Sequence, residues 1–296
     1  MKRKSLFMAI IISGGLLACN DTPQSSASKE TEKKGSKELT ETIGKAKPNI
    51  VNGIMTPEVL YSFGRIGNVE VSPDKSNILY QVTYVSIPQN KTNSELFTMK
   101  SDGSDKKQLT ITSTQESNPQ WIADGKKIAF LSDETGSSQI WTINPDGGGM
   151  KQISNVEGGI DGFKYSPDGK KVLFIRSVKT VETATEKYTD LPNASGRIVD
   201  DLMYKHWDTW VENIPHPFVA DLSGNKLTNI KDLLDGEPYE APMLPFGGME
   251  QLAWSPDGKT VAYTSRKKTG KEYAVSTNSD IYFYDIETRQ TKNMTE

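Results

Sequence analysis

The sequence is poor in the residues that most metal and catalytic sites require. It contains one cysteine and two histidines in 296 residues. A single cysteine excludes an internal disulfide framework, and without an H-E-x-x-H motif, closely spaced histidines or a cysteine set we expect no zinc site. The sequence also has no G-x-S-x-G nucleophile elbow and no P-loop lysine motif. We therefore assign no catalytic residue and no metal ligand, and expect no cofactor.

The sequence also has no excess of basic charge. It carries 35 Lys and Arg residues against 38 Asp and Glu residues, for a formal net charge of −3. It has no basic stripe interleaved with aromatic residues that would neutralise phosphates. We therefore expect no nucleic-acid partner. The hydrophobic fraction of 35% and the charged fraction of 25% are typical of a globular protein.

The N-terminal apolar run is too short for a comfortable membrane span. Lys2, Arg3 and Lys4 precede apolar residues from 6 to 18, which is the arrangement of a secretory signal. The run ends directly before Cys19 and resembles the lipobox of bacterial lipoproteins, where the signal is cut before a cysteine that is then lipidated. We expect residues 1–18 to be a lipoprotein signal peptide and Cys19 to carry the lipid. In the alternative, Cys19 belongs to a conventional signal and is lost with it.

Residues 19–53 are rich in Ser, Thr, Lys and Glu and nearly free of large apolar side chains. This composition predicts a disordered, solvated tether. About 28 flexible residues have a root-mean-square reach of roughly 30 Å, which holds a folded domain clear of a membrane surface. We therefore expect an exported lipoprotein that is anchored to a membrane through Cys19 and faces the periplasm or the cell surface.

Short alternating strands are predicted from residue 54 onward. Thr56 can cap a short helix that begins at Pro57 and ends at Gly64. Beyond it, apolar and polar residues alternate in short runs broken by Gly, Pro, Asp and Asn, with no long helical periodicity. This pattern predicts an all-β fold.

A motif related to Ser-Pro-Asp-Gly occurs four times in the predicted β region. Its aspartates, Asp74, Asp124, Asp168 and Asp257, are spaced 50, 44 and 89 residues apart. A period in the mid-forties is typical of a four-stranded propeller blade. The sequence therefore predicts a β-propeller of WD40-like blades at about 65–110, 118–154, 160–230 and 250–296. The long third interval predicts an insertion, residues 178–214, within blade 3.

The motif is explained by the geometry of a tight turn. In the copy at 166–169, proline presets φ, Asp168 can accept a backbone N–H, and Gly169 supplies the position with φ > 0. Lys75 stands where blade 1 should have glycine, so that turn should be strained or of another type. Large aromatic residues on the flanking strands are predicted to pack between blades rather than to stack on a ligand: Trp121, Phe130, Tyr165, Phe174, Trp254 and Tyr263.

Four blades do not settle the size of the ring. Propellers use four to eight blades, so a four-bladed ring is possible. An open half-ring, however, would leave unpaired strand edges and uncovered apolar faces. We therefore expect these blades to be part of a larger ring of seven or eight.

The insertion combines aromatic and acidic side chains at unusual density, and long insertions in compact repeats tend to carry function. Together such side chains could recognise a peptide amino terminus, the cation being held by charge and by a ring face. In the alternative, the loop anchors itself with its own tryptophans. The candidate substrate-gating residues are Asp200, Asp201, Tyr204, His206, Trp207, Asp208 and Trp210, with Glu212 beside them.

Two segments are more specific than the repeats. "MTPEVLYSFGRIGNVEVSPD" from Met55 and "LMYKHWDTWVENIPHPFVADL" from Leu202 resemble segments of prolyl oligopeptidase family serine peptidases, the second in their bacterial dipeptidyl-peptidase and acylaminoacyl-peptidase branch. In that family an N-terminal propeller caps a C-terminal α/β-hydrolase domain that carries the Ser, Asp and His. The resemblance implies that this chain is the substrate-gating propeller of an exported peptidase of short peptides. The hydrolase domain is absent from it, so it should be inactive alone.

A second hypothesis comes from another functional class. The chain could be a non-enzymatic, lipid-anchored propeller similar to that of the Tol system, binding a protein or a glycan through its funnel or rim. The predicted incomplete ring and the insertion stand against this alternative.

Overall fold

The computed structural model describes residues 42–202 and 204–296. The predicted signal peptide, Cys19 and the first part of the predicted tether lie outside the described residues. The described part of that tether, residues 42–53, has no helix or strand. Within it, the carbonyl of Ile43 accepts a hydrogen bond from Nδ2 of Asn93 at 3.4 Å.

The described residues form four antiparallel sheets of four strands each. Within each sheet, strands that lie side by side are hydrogen-bonded to each other. Blade 1 consists of β1 (Arg65–Val71), β2 (Asn77–Ser86), β3 (Lys91–Lys100) and β4 (Lys107–Gln108). Blade 2 consists of β5 (Glu116–Ile122), β6 (Lys127–Ser132), β7 (Gln139–Ile143) and β8 (Lys151–Gln152). Blade 3 contains β9 (Gly162–Tyr165), β10 (Lys171–Lys179), β13 (Asn213–Ser223) and β14 (Lys226–Asp232), with the hairpin β11 (Lys205–His206) and β12 (Thr209–Trp210) in its insertion. Blade 4 consists of β15 (Leu252–Trp254), β16 (Thr260–Ser265), β17 (Asp280–Asp285) and β18 (Thr291–Asn293). The predicted all-β propeller class is confirmed.

Helices in the described residues are short. They are α1 (Pro57–Tyr61), α2 (Ala184–Lys187) and α3 (Gly270–Val275), with single 3₁₀ turns at Ala123–Gly125 and Met249–Gln251. Thr56 caps α1 as predicted, its Oγ1 accepting the N–H of Val59 at 3.4 Å. The helix ends at Tyr61 rather than at Gly64, because the N–H of Ser62 already closes the last turn on the carbonyl of Glu58 at 3.0 Å. No described helix has the length and apolarity needed to span a bilayer.

The inner hairpins of blades 1, 3 and 4 share one hydrogen-bond pattern. In blade 3, Oγ of Ser166 donates to Oδ1 of Asp168 at 2.7 Å, and the same oxygen accepts the N–H of Lys170 at 3.0 Å. These two bonds lower the pKa of Asp168, because they stabilise its ionised form. Blade 2 differs, since Ile122 has no hydroxyl to make the bond and its turn is a 3₁₀ turn.

Lys75 adopts the glycine conformation of this turn. Its φ is +62°, against +69° for both Gly169 and Gly258 at the corresponding positions. The similar φ values show that the turn keeps its type. The turn is strained, because a side chain is crowded in the left-handed region. Of the two outcomes predicted for blade 1, strain or a different turn type, the structure shows strain.

Three apolar clusters fill the three interfaces between consecutive blades. Leu79 and Leu96 of blade 1 pack with Phe130 of blade 2, and Phe163 of blade 3 packs with Ile140 of blade 2. Between blades 3 and 4, Tyr263 joins residues of both sheets, and Trp254 packs against the same cluster. The aromatic side chains of the repeat therefore pack between blades, as predicted.

Polar contacts also fix blade 4 against blade 3. The Nζ of Lys164 donates to the carbonyls of Met249 and Leu252, each at 2.7 Å. In return, Nε1 of Trp254 donates to the carbonyl of Lys164 at 3.3 Å. These bonds fix the start of blade 4 against the first strand of blade 3.

Candidate functional site

The insertion leaves blade 3 on an extended pair of strands. β10 and β13 stay paired as far as Lys179 and Asn213, and the N–H of Thr180 donates to the carbonyl of Glu212 at 3.1 Å. This stalk carries residues 181–211 beyond the body of the sheet. The paired strands therefore give a long loop a defined starting geometry.

The insertion contains its own local structure. Thr183 and Glu186 form a capping box at α2, with the N–H of Thr183 donating to Oε2 of Glu186 at 2.8 Å. The β11–β12 hairpin follows, pairing Lys205 with Trp210. Its turn places Trp207 at a φ of +52° with 76% of the residue exposed.

A cavity of about 770 Å³ lies between this insertion and two loops of the neighbouring blade. The wall opposite the insertion is formed by residues 238–240 and 268–270 and by Tyr273 of α3. Six of the acidic and aromatic residues singled out in the sequence line the cavity: Asp200, Asp201, Tyr204, His206, Trp210 and Glu212. The cavity therefore brings most of the predicted candidates together.

Trp207 and Asp208 do not line the cavity. Both are exposed at the tip of the β11–β12 hairpin, on the turn between its strands. Trp207 instead packs edge to face against Phe246, with ring centroids 5.6 Å apart. Both residues occupy the two-residue turn that joins the strands, so they lie beyond the strand residues His206 and Trp210, which line the cavity.

Glu240 is the buried acid of the cavity and was not among the sequence candidates. The residue is 4% exposed, and its Oε1 accepts the hydroxyl of Tyr273 and the N–H of Leu244, the latter at 3.2 Å. Oε2 lies 4.0 Å from Nε2 of His206. Burial raises the pKa of Glu240, and the bond from Tyr273 acts in the opposite direction.

Trp210 is held by cations of the chain itself. Cζ of Arg197 and Nζ of Lys205 each lie 4.4 Å from the centre of its ring, and Tyr204 stacks on it with centroids 5.9 Å apart. Arg197 also pairs with Glu212 at 3.0 Å. Trp210, with internal cations against its ring, forms part of the cavity wall.

Asp201 joins the insertion to blade 4. Its Oδ2 accepts the N–H of Gly270, the first residue of α3, at 3.1 Å. A Cβ at position 270 would lie 3.1 Å from Oδ1 of Asp201, and φ there is +58°, so both the contact and the backbone favour glycine. Asp201 therefore closes one side of the cavity.

Neither histidine lies in a catalytic triad. Nδ1 of His216 lies 2.9 Å from Oδ2 of Asp232, but the buried Nε2 has no hydrogen-bond partner among the described residues. His206 faces Glu240 rather than a serine hydroxyl. The described part of the chain also has no group of three or more His, Cys, Asp or Glu side chains that could hold a metal ion.

Sequence reasoning missed Glu240 and Tyr273 because they are far from the insertion in the chain. The two residues are 33 positions apart and belong to the loop before blade 4 and to a loop within it. The only local signal was the Pro- and Gly-rich stretch "GEPYEAPMLPFGG", which is longer than the other connections between blades.

Sequence comparison places the chain among peptidase relatives. The TolB beta propeller domain family matches residues 58–199. Dipeptidyl-peptidase 5 of Porphyromonas gingivalis is 50% identical over 242 residues, which cover 82% of this chain and 35% of that protein. Dipeptidyl-peptidase 5 of Porphyromonas endodontalis is 47% identical over 245 residues, covering 83% and 36% respectively. The chain thus spans about a third of the length of these relatives.

A solved structure shares the fold. The uncomplexed acylaminoacyl peptidase of Pyrococcus horikoshii superposes with a TM-score of 0.57 at 16% identity, covering 80% of this chain and 33% of that chain. At this identity the likeness supports the propeller fold alone.

Proposed function

We propose that this chain, a homologue of dipeptidyl-peptidase 5 over its TolB-type propeller, is the substrate-gating part of an exported serine peptidase that cleaves short peptides. The sequence has no nucleophile elbow, so cleavage would require an α/β-hydrolase domain elsewhere in the whole protein. The role of the propeller is then to admit and orient the substrate.

The observation that carries this proposal is the buried carboxylate in a cavity of suitable size. A volume of about 770 Å³ falls in the range of small-ligand sites and is too small for a folded protein. Oε1 of Glu240 is already bonded to Tyr273 and Leu244, whereas Oε2 faces His206 at 4.0 Å. Oε2 is therefore the oxygen that could accept a hydrogen bond from the ammonium group of a peptide amino end.

Peptide binding to the purified chain tests this assignment. We expect a dipeptide amide with a free amino group to bind in calorimetry and its N-acetylated form to bind at least about tenfold more weakly. Glu240→Gln should abolish this preference, while Glu134→Gln, a change at an exposed glutamate of blade 2, should leave it intact. Equal binding of the two peptides would contradict recognition of the amino end.

Two further measurements test whether the chain is an enzyme by itself and whether it is a non-enzymatic binding propeller. A serine-directed fluorophosphonate probe should not label the 296-residue chain, because it has no nucleophile elbow. Labelling would overturn the gating assignment in favour of a self-contained enzyme. Binding of a protein or glycan to the rim, without any binding of short peptides, would instead support the non-enzymatic propeller.

The location is also a proposal. We infer that the protein is exported and held at a membrane through Cys19, since basic residues and an apolar run directly precede that cysteine. Attachment of more than one acyl chain would give stable anchoring. In cells fed a labelled fatty acid, the protein should take up label and Cys19→Ser should not. Unlabelled wild-type protein recovered from the medium would instead indicate a conventional signal.

A further inference from the structure

Two buried glutamates meet at the interface between blades 1 and 2. Glu95 lies on β3 and is 1% exposed, and Glu116 is the first residue of β5 and is 0% exposed. Among the described residues, no lysine, arginine or histidine side chain forms a hydrogen bond or ion pair with either carboxyl group. Ionised carboxylates at this depth, without a cation, are strongly disfavoured.

Neutral hydrogen-bond donors surround the two carboxyl groups. Thr112 bridges them, its N–H donating to Oε1 of Glu95 at 2.9 Å and its hydroxyl lying 2.9 Å from both oxygens of Glu116. Nδ2 of Asn93 donates to Oε1 of Glu95 at 2.9 Å, and Oγ of Ser132 donates to Oε1 of Glu116 at 3.0 Å. These donors come from both blades and from the segment that joins them.

One carboxyl oxygen forms no direct hydrogen bond within the described part of the chain, and the nearest neutral hydroxyl beside this carboxyl group, that of Thr110, already accepts the N–H of Leu96 at 2.9 Å. Oε2 of Glu95 is buried and has no hydrogen-bond partner among the described residues. Thr112 brings the carboxyl groups of Glu95 and Glu116 close together, because its N–H bonds to the first and its hydroxyl to the second. A proton on Glu116 would supply the missing donor and would remove the repulsion between two buried charges. A single proton therefore accounts for both the unpaired oxygen and the lack of a cationic side chain among the described neighbours.

We propose that Glu95 and Glu116 share one proton and that this proton forms a pH-sensitive contact between blades 1 and 2. The two carboxyl groups cannot both ionise easily at short range, because the charge on one opposes ionisation of the other. Loss of the shared proton leaves two adjacent buried negative charges. The interface then loosens, while the apolar contacts between blades 3 and 4 are unaffected.

The protonation energetics agree with this geometry. Burial raises the pKa of both glutamates, and the charge of Glu95 adds to the rise at Glu116, whose pKa reaches about 8. Tyr84, which also feels the charge of Glu95, is the further titratable group facing the pair, and burial raises its pKa. Its ordinary value is 10.0, so Tyr84 remains neutral in the range where Glu116 titrates.

The direction of the effect on stability follows from the raised pKa. Between the ordinary glutamate value of 4.5 and about 8, the folded state holds a proton that the unfolded state has lost. The contribution is therefore full at acidic pH and declines as the pH rises to about 8. One proton corresponds to a change of about tenfold in the folded-to-unfolded ratio per pH unit within this window.

Carbon-13 NMR of glutamate carboxyl groups in the full chain tests the shared proton directly. We expect one carboxyl resonance to titrate near pH 8 and to vanish in Glu116→Gln. Glu95→Gln should move the remaining titration to lower pH, because the neighbouring charge is removed. Glu134→Gln, at an exposed glutamate of the same blade, is the control and should change neither feature. If no buried carboxyl titrates above about pH 6, the proposal is wrong.

Unfolding by urea at two pH values provides the second test. The wild type should lose stability between about pH 6 and about pH 9, and Glu116→Gln, which carries no charge at either pH, should lose distinctly less. If calcium restores the stability of the wild type at high pH but not that of the variant, a bound cation rather than a proton joins the blades. That result would overturn the shared-proton assignment even if the pair still joins the two blades.

Discussion

Tyr273 donates a hydrogen bond from its phenolic oxygen to Oε1 of Glu240 in the wall of the cavity opposite the insertion. The tyrosine lies on α3 within blade 4, whereas the glutamate lies in the loop between blades 3 and 4. The same carboxyl group faces His206 of the insertion through its other oxygen. One buried side chain thus joins three separate segments, and their relative positions define the candidate site.

The first prediction concerns this bond. Tyr273→Phe removes the only side-chain donor to Oε1 of Glu240 among the described residues, so the pKa of the glutamate should rise further. At neutral pH less of it would be ionised, and binding of a free peptide amino end should weaken. We also expect a loss of about 1–3 kcal/mol in the free energy of unfolding. Calorimetric titration with a dipeptide amide and urea unfolding measure the two effects.

Tyr188→Phe is the matched control for that change. Tyr188 is 48% exposed, lies in the insertion and does not line the cavity. It should bind peptide like the wild type. If both tyrosine variants weaken binding equally, the effect comes from the insertion in general rather than from Glu240.

The second prediction concerns the strained turn of blade 1. Lys75→Gly places glycine at a φ of +62°, and we expect it to stabilise the protein by about 1 kcal/mol. The reverse change, Gly169→Lys in blade 3, should destabilise by a similar amount, because a Cβ there meets no atom within 4 Å and only the backbone conformation opposes it. Urea unfolding midpoints give both values. A loss of stability in Lys75→Gly would show that the lysine side chain contributes more than the strain costs.

The third prediction concerns acid stability. Hydrogen bonds from Ser72 and Ser76 lower the pKa of Asp74 from 3.8 to about 2. A lowered pKa contributes stability that is present above the ordinary value and is lost as the pH falls through the folded value. Asp74→Asn should therefore flatten the dependence of thermal unfolding on pH between about 4 and about 2. Asp133→Asn, at an exposed aspartate of blade 2, serves as the control and should follow the wild-type curve.

The fourth prediction concerns packing between blades 2 and 3. Phe174 is 0% exposed and stacks on Phe218 with ring centroids 5.4 Å apart. Phe174→Ala should cost about 3–5 kcal/mol, because the cavity it leaves cannot fill with water or close. Phe246→Ala, at a residue that is 83% exposed, should cost less than about 1 kcal/mol. Comparable losses in the two variants would contradict the assignment of Phe174 to the interblade core.

The repeat is recognisable in the sequence because its residues act locally. A Ser, an Asp and a Gly within four positions determine a turn through bonds such as that from Ser166 to Asp168, and no distant segment is needed. The turn of blade 2 departs from the pattern for an equally local reason, the lack of a hydroxyl at Ile122. The blades of this chain can therefore be counted from their turns alone.

The candidate site was only partly predictable. Asp201, His206 and Trp210 were singled out by composition, and they do meet at one cavity. Composition could not show that Trp207 lies on a hairpin turn and packs against Phe246, since that depends on where the paired strands end. It could not show Glu240 either, because nothing near this residue in the chain marks it as buried.

The all-β propeller class could be predicted from the amino-acid sequence alone, since it follows from turn chemistry and strand periodicity at short range. Three features became visible only in the folded structure: the acid that is buried, the tryptophan that contacts internal cations, and the carboxyl groups that meet between blades. Glu240 with Tyr273, and Glu95 with Glu116, are each brought together by blade packing across a stretch of intervening chain. Burial and the effects of neighbouring charges depend on that packing, so neither can be predicted from the local sequence.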